Sequence, residues 1–201
     1  MFSSVTSVIA LFVSITVAYL TLFRRGKLGM THPVLVGFFS EEGQPKLFLR
    51  AMLYASGKRG HIVEALFLKV RRGDVVQIFD FWMYGQSKAE MIGSGLRVGE
   101  DGVAFCHYFL PPKESSFRFL AGEYVIEVSG RILNRRKTLV LATVTLSLSE
   151  EFAVAFADPT MGILFTWMAE AGRYRSEISH PQSVGRSHSV SGAGPGKLPW
   201  T

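Results

Sequence analysis

The sequence predicts a mainly β protein, an antiparallel β-sandwich preceded by a single transmembrane α-helix. Three observations predict it. Phe2 to Phe23 is a run of 22 residues without a charged side chain. Beyond it, apolar segments of strand length recur between glycine-containing turns, the pattern of an antiparallel sandwich. Several of these segments alternate apolar and polar residues with period two, and none shows convincing helical periodicity. The 201 residues therefore divide into an anchor with its basic flank (1–27), a sandwich domain (28–178) large enough to bury a core, and a tail (179–201). The tail is made largely of Ser, Gly, Pro and His and is expected to be disordered.

A helix over the apolar run spans about 33 Å at 1.5 Å per residue, against a bilayer core of roughly 30 Å. A signal peptide would carry a basic segment before the run and a small-residue cleavage site after it. Here Arg24, Arg25 and Lys27 follow the run instead and no Lys or Arg precedes it, so an uncleaved single-pass anchor is expected. Basic residues favour the cytosolic side, which places Met1 outside and residues 24–201 in the cytosol at the cell (inner) membrane. A single cysteine, Cys106, is compatible with that compartment. Seven Ser or Thr residues lie in the run, where their hydroxyls can bond back to helix carbonyls. Thr6, Ala10, Ser14 and Ala18 recur every fourth position and form a candidate homodimer stripe, because small residues let helices approach closely.

Net charge is +6, yet residues 28–171 hold 15 basic and 15 acidic side chains. The excess sits in the flank (Arg24, Arg25 and Lys27) and in residues 172–201, where Arg173, Arg175, Arg186 and Lys197 stand against Glu177. A neutral domain between basic ends is a poor nucleic-acid footprint, so no nucleic acid is expected as a partner and the bilayer is. Three turns of the domain are basic: Lys58-Arg59, Arg71-Arg72 and Arg135-Arg136-Lys137. Loops of a sandwich gather at two ends, so turns sharing the anchor's end would face anionic lipid. Ordinary solvated turns have the same composition.

Taken in order, His32-Pro33 marks a linker, and Leu47–Tyr54 and Ile62–Val70 are strands bounded by Gly. Val75–Tyr84 is apolar on both faces, which predicts either a central strand covered on both sides or one carrying a partner surface. Within it, Asp80 lies between Ile78 and Trp82 and needs a partner if buried. Arg50 offers one, with Glu64 competing for it. Another apolar strand follows the Glu100-Asp101-Gly102 turn. Tyr124, Ile126 and Val128 alternate with Glu123, Glu127 and Ser129, Val125 breaking the polar side, and Thr138–Leu148 alternates likewise. Phe152, Val154 and Phe156 alternate with alanines, and Met161–Trp167 is the last apolar segment.

No catalytic, cofactor or metal constellation stands out. Gly93-Ser94-Gly95 with Gly99 lacks the strand-to-helix context of a phosphate loop and fits hairpin turns. Cys106 and His107 are adjacent, so on a strand they point to opposite faces. The five histidines have no metal-like spacing. The expected function is therefore a non-enzymatic protein-interaction or scaffold module at the cytoplasmic membrane, with a ligand-sensing or periplasmic binding domain of reverse topology as the alternative. Leu120-Ala121-Gly122-Glu123-Tyr124 ahead of Val-Ile-Glu-Val resembles the late-strand signature of immunoglobulin-like and fibronectin-type sandwiches. That resemblance implies that Tyr124 hydrogen-bonds back to nearby backbone as a tyrosine corner. The paired cysteines of antibody domains are absent. As a whole the chain resembles bacterial proteins that join one N-terminal transmembrane helix to such a sandwich, which implies no activity.

Overall fold

The computed structural model describes residues 2–22, 26–41, 43–85, 91–93, 95–156, 158 and 161–179. Helix α1 (Phe2–Leu22) is 21 residues long. Its described side chains run from Val5 to Tyr19 and all are exposed. Over these 15 described side chains, and among the described residues generally, no helix is long and apolar enough to cross a membrane. Thr16 Oγ1 donates to Phe12 O at 2.8 Å, the back-bonding that lets a hydroxyl sit in an apolar helix.

The rest is mainly β, in two antiparallel sheets. The first contains β1 (Leu28–Met30), β2 (Leu35–Glu41), β3 (Gln44–Ala55), β6 (Phe81–Gly85), β7 (Ile92–Gly93), β9 (Val103–Leu110), β12 (Gly162–Met168) and β13 (Arg173–Ser179). Its order is β13-β12-β2-β3-β9-β6-β7, with β1 also on β3. The second contains β4 (His61–Arg72), β5 (Val75–Phe79), β8 (Leu96–Val98), β10 (Gly122–Ile132) and β11 (Leu139–Leu148). Its order is β11-β10-β4-β5, with β8 also on β4. Alternate residues of β3 (Leu47, Leu49, Ala51, Leu53) and of β10 (Tyr124, Ile126, Val128) fall in one buried cluster, as period-two side chains on facing sheets require.

Four expectations are corrected. His32-Pro33 is no linker. The chain already pairs Leu28 with Ala55, and the Thr31 and Val34 amides bond to the Met52 and Arg50 carbonyls, so β1 and β2 run along the same edge of β3. Val75–Tyr84 is not one strand. It breaks at Asp80, β5 staying in the second sheet and β6 entering the first, which gives each face apolar work in a different place. Asp80 at that crossing is exposed, so burial never imposes a partner on it, and Arg50 instead faces Cys106 across the sheet. Residues 150–155 form a short helix, α2 (Glu150–Ala155), capped by Ser149, whose side chain accepts from the Phe152 amide; two acids in the first turn reinforce it. Of the expected tail only Ser179 is described, and it ends β13 opposite Gly162.

The loop between β9 and β10 closes the core. It turns Phe117 and Phe119 inward, where both are buried. Phe119 stacks on Phe38 at 4.3 Å between centroids, and Phe38 meets Tyr124 and Phe165 edge-on at 5.2 and 5.0 Å. Offset and edge contacts of this kind add to the gain from burying the rings. Tyr124, fully buried, donates its hydroxyl to Leu120 O at 2.6 Å and accepts from the Leu120 amide at 2.8 Å. Both bonds hold the strand start against the loop. Tyr124→Phe removes them and leaves two part-buried backbone groups unsatisfied, so a loss of about 1–3 kcal/mol is expected. Urea unfolding followed by tryptophan fluorescence measures it, and an unchanged midpoint would show that the corner contributes nothing.

Candidate functional site

The site is built where the chain enters the sandwich. Gly26 O accepts a hydrogen bond from His61 Nε2 at 2.8 Å. The Lys27 amide donates to Ser56 Oγ at 2.7 Å, and the Ser56 amide returns a bond to Lys27 O at 2.9 Å. This close approach needs glycine, since a Cβ on Gly26 would lie 2.3 Å from the Gly57 nitrogen. The turn that receives it ends at Gly60, whose φ of 63° is one that side chains rarely adopt.

Beside this clamp is a cavity of about 350 Å³. Its lining includes Arg59 from the β3–β4 turn, Arg97 from β8, and Arg135 from the β10–β11 turn, with His61, Ile62 and Leu133 between them. Pairing explains the convergence. Ile62 lies directly opposite Arg97 on the neighbouring strand, so both side chains project from one face. The Leu133 amide bonds to Ile62 O at 2.9 Å, and Asn134, at a φ of 64°, turns the chain so that the Arg135 amide closes on Ile132 O. No acidic side chain lines the cavity. Arginine side chains lining a cavity beside Ile62 and Leu133 can hold a compact anion by charge-assisted, bidentate hydrogen bonds.

The structure sorts the residues that stand out in the sequence. Arg59 and Arg135 meet in this cavity. Lys58, Arg136 and Lys137 are exposed in the same two turns. Arg71 and Arg72 do not join them. They lie at the opposite end of β4, whose 12 residues span roughly 36 Å at strand rise. There the Arg72 Nη1 donates to Ala121 O at 3.1 Å, beside the Tyr124 corner. Lys27 is exposed at the clamp, while Arg24 and Arg25 lie outside the described residues. Thr6, Ala10, Ser14 and Ala18 lie on the exposed surface of α1. Arg97 does not stand out in the sequence, because an isolated arginine in a short strand carries no signal until its cross-strand partner is known. Compared with known proteins, the chain matches no family model, no curated protein and no solved structure.

Elsewhere, Cys106 lies on the outer face of its sheet opposite Arg50; burial pushes its thiol pKa up, and Arg50 partly offsets this. His107 points the other way and is fully buried. Its Nδ1 accepts from Trp82 Nε1 at 3.2 Å, so the ring proton resides on Nε2, which has no partner among the described residues. Burial lowers the His107 pKa to about 4 from its ordinary 6.5. The unfolded chain therefore takes up this proton first. Stability from the neutral ring is full above about pH 6.5 and is lost as pH falls toward 4, by about 3 kcal/mol in total. His107→Gln keeps an acceptor for Trp82 and does not titrate, so urea unfolding at pH 7.5, 6 and 5 is expected to show a shallower decline in the variant. Parallel declines would place the pH dependence elsewhere.

Proposed function

We propose that the protein is a membrane-anchored, non-enzymatic interaction module, with α1 crossing the bilayer and the sandwich held at the cytoplasmic surface. The observation that carries this reading is the surface of α1. Val5, Val8, Ile9, Leu11, Phe12, Val13, Ile15 and Val17 are all more than half exposed; at helical spacing they cover about two thirds of the circumference, the remainder being the small uncharged residues Ser7, Ala10, Ser14 and Ala18. A helix so widely apolar and without a charged face needs an apolar environment, and its 21 residues extend about 31 Å. Arg24, Arg25 and Lys27 favour a cytosolic location for the sandwich. We read the sandwich as immunoglobulin-like, on the support of the Tyr124 bonds to Leu120. For a protein partner the support is β5. It ends its sheet's order and exposes Val75, Val76 and Ile78, with Phe81 exposed just beyond, and an uncovered apolar edge is a template for strand addition. The non-enzymatic reading rests on Cys106 and His107 facing opposite sides of β9.

Three results are expected from the full chain in cells. It stays in the membrane pellet through alkaline carbonate extraction, whereas Phe12→Asp with Val13→Asp releases it, because charges at a helix centre are costly in lipid. A C-terminal reporter is active without export. A photocrosslinker at Ile78 gives one discrete adduct that is absent with the crosslinker at Val140. Carbonate extraction of the unaltered chain would defeat the anchor. A reporter active only after export would reverse the topology and favour the ligand-binding alternative, and identical adducts at both positions would remove β5 as the partner surface.

A further inference from the structure

We infer that the cavity between Arg59, Arg97 and Arg135 is a binding site for a phosphate group, supplied by an anionic lipid headgroup at the membrane surface or by phosphate in solution. The lipid source rests on the membrane reading above; the phosphate chemistry does not.

Three independent features converge on it. The first is the donor set. Three arginines from three separate segments line one cavity that no acid lines, although basic and acidic side chains are equal in number over residues 28–171 as a whole. Guanidinium forks match phosphate oxygens in a way that an ammonium point charge does not. The second is shape. About 350 Å³ is within the range of small-molecule sites, and Ile62, Ile132 and Leu133 give it an apolar lining. Three arginines gathered at one cavity suit a compact headgroup and not an extended polyanion, which needs a continuous basic stripe.

The third is position. His61 both lines the cavity and holds the Gly26 carbonyl. From Leu22, where α1 ends, to Gly26 is four Cα steps, at most about 15 Å when fully extended. Covalent geometry alone thus keeps the cavity close to the end of the helix, where phosphates stand if α1 crosses a bilayer. Arg71 and Arg72, at the far end of β4, have no such tether.

The test uses the full chain in uncharged detergent micelles. Native mass spectrometry measures retention of added phosphatidylglycerol against phosphatidylcholine, and calorimetry measures binding of inorganic phosphate. The test variant is Arg59→Gln with Arg97→Gln and Arg135→Gln. The control removes three exposed cations elsewhere, Lys69→Gln with Arg71→Gln and Lys113→Gln. Loss of anionic-ligand affinity by roughly a hundredfold is expected in the test variant, from about one surface-cation increment per arginine, with little change in the control. Equal unfolding midpoints for the two variants confirm that both fold. Arginine-dependent retention of phosphatidylglycerol assigns the lipid source; arginine-dependent binding of phosphate alone assigns the soluble one, and either supports the site. Equal retention of the two lipids with no phosphate binding, or equal losses in both variants, overturns it. Carbonate extraction reports on the anchor separately, so a failed anchor with intact phosphate binding removes the membrane reading and leaves the site standing.

Discussion

The clamp at Gly26, Lys27, Ser56 and His61 is the constraint on which the placement of the other elements depends. Each of its hydrogen bonds adds only about 1 kcal/mol by itself. Their consequence is geometric. They seat the entering chain on the turn that carries β3 of one sheet into β4 of the other, so β1 starts pairing at Leu28. Only three residues of sequence separate the end of α1 at Leu22 from the clamp at Gly26. A longer, free linker would let the domain tumble and would leave the basic turns without a preferred side.

That seating gives the two ends of the sandwich different characters. At the entry end, two turns and a short strand bring arginines around Ile62. At the other end, Arg72 is engaged by the backbone at Ala121 next to Tyr124, and the loop carrying Phe117 and Phe119 fills the core. The aromatic contacts of Phe38, Phe119 and Tyr124 tie that loop to both sheets. The far end is thus occupied with holding the fold together, while the entry end gathers Arg59, Arg97 and Arg135 around one cavity.

Much of this is legible in the residues. Alternation exposes the β character of β10 and β11, because one face of each is buried and the other is wet. The buried Tyr124 stands out from its Gly-Glu-Tyr context. Other features require tertiary information. Phe152, Val154 and Phe156 alternate with alanines like a strand, and the Ser149 cap with Glu150 and Glu151 is the local signal that favours α2 instead. The strand β13 reads Arg-Tyr-Arg-Ser-Glu-Ile-Ser, too polar to announce itself, and it exists because β12 offers an edge. The split of Val75–Tyr84 at Asp80 is a choice between sheets that period-two patterning cannot express. For the same reason a pair of basic turns can be recognised by composition, while the end each occupies, and the contribution of Arg97, depend on strand order.

If α1 is a membrane anchor, the clamp sets the entry end of the sandwich toward the bilayer. Depth measurement on the full chain in liposomes tests it most directly. With Cys106→Ser as background, a spin label is placed at Lys137 in the β10–β11 turn or at Asp74 in the β4–β5 turn, both exposed, and relaxation by a headgroup-bound paramagnetic lipid is recorded. Strong relaxation is expected at 137 and weak relaxation at 74. Equal relaxation at the two positions, or the stronger effect at 74, would contradict that orientation.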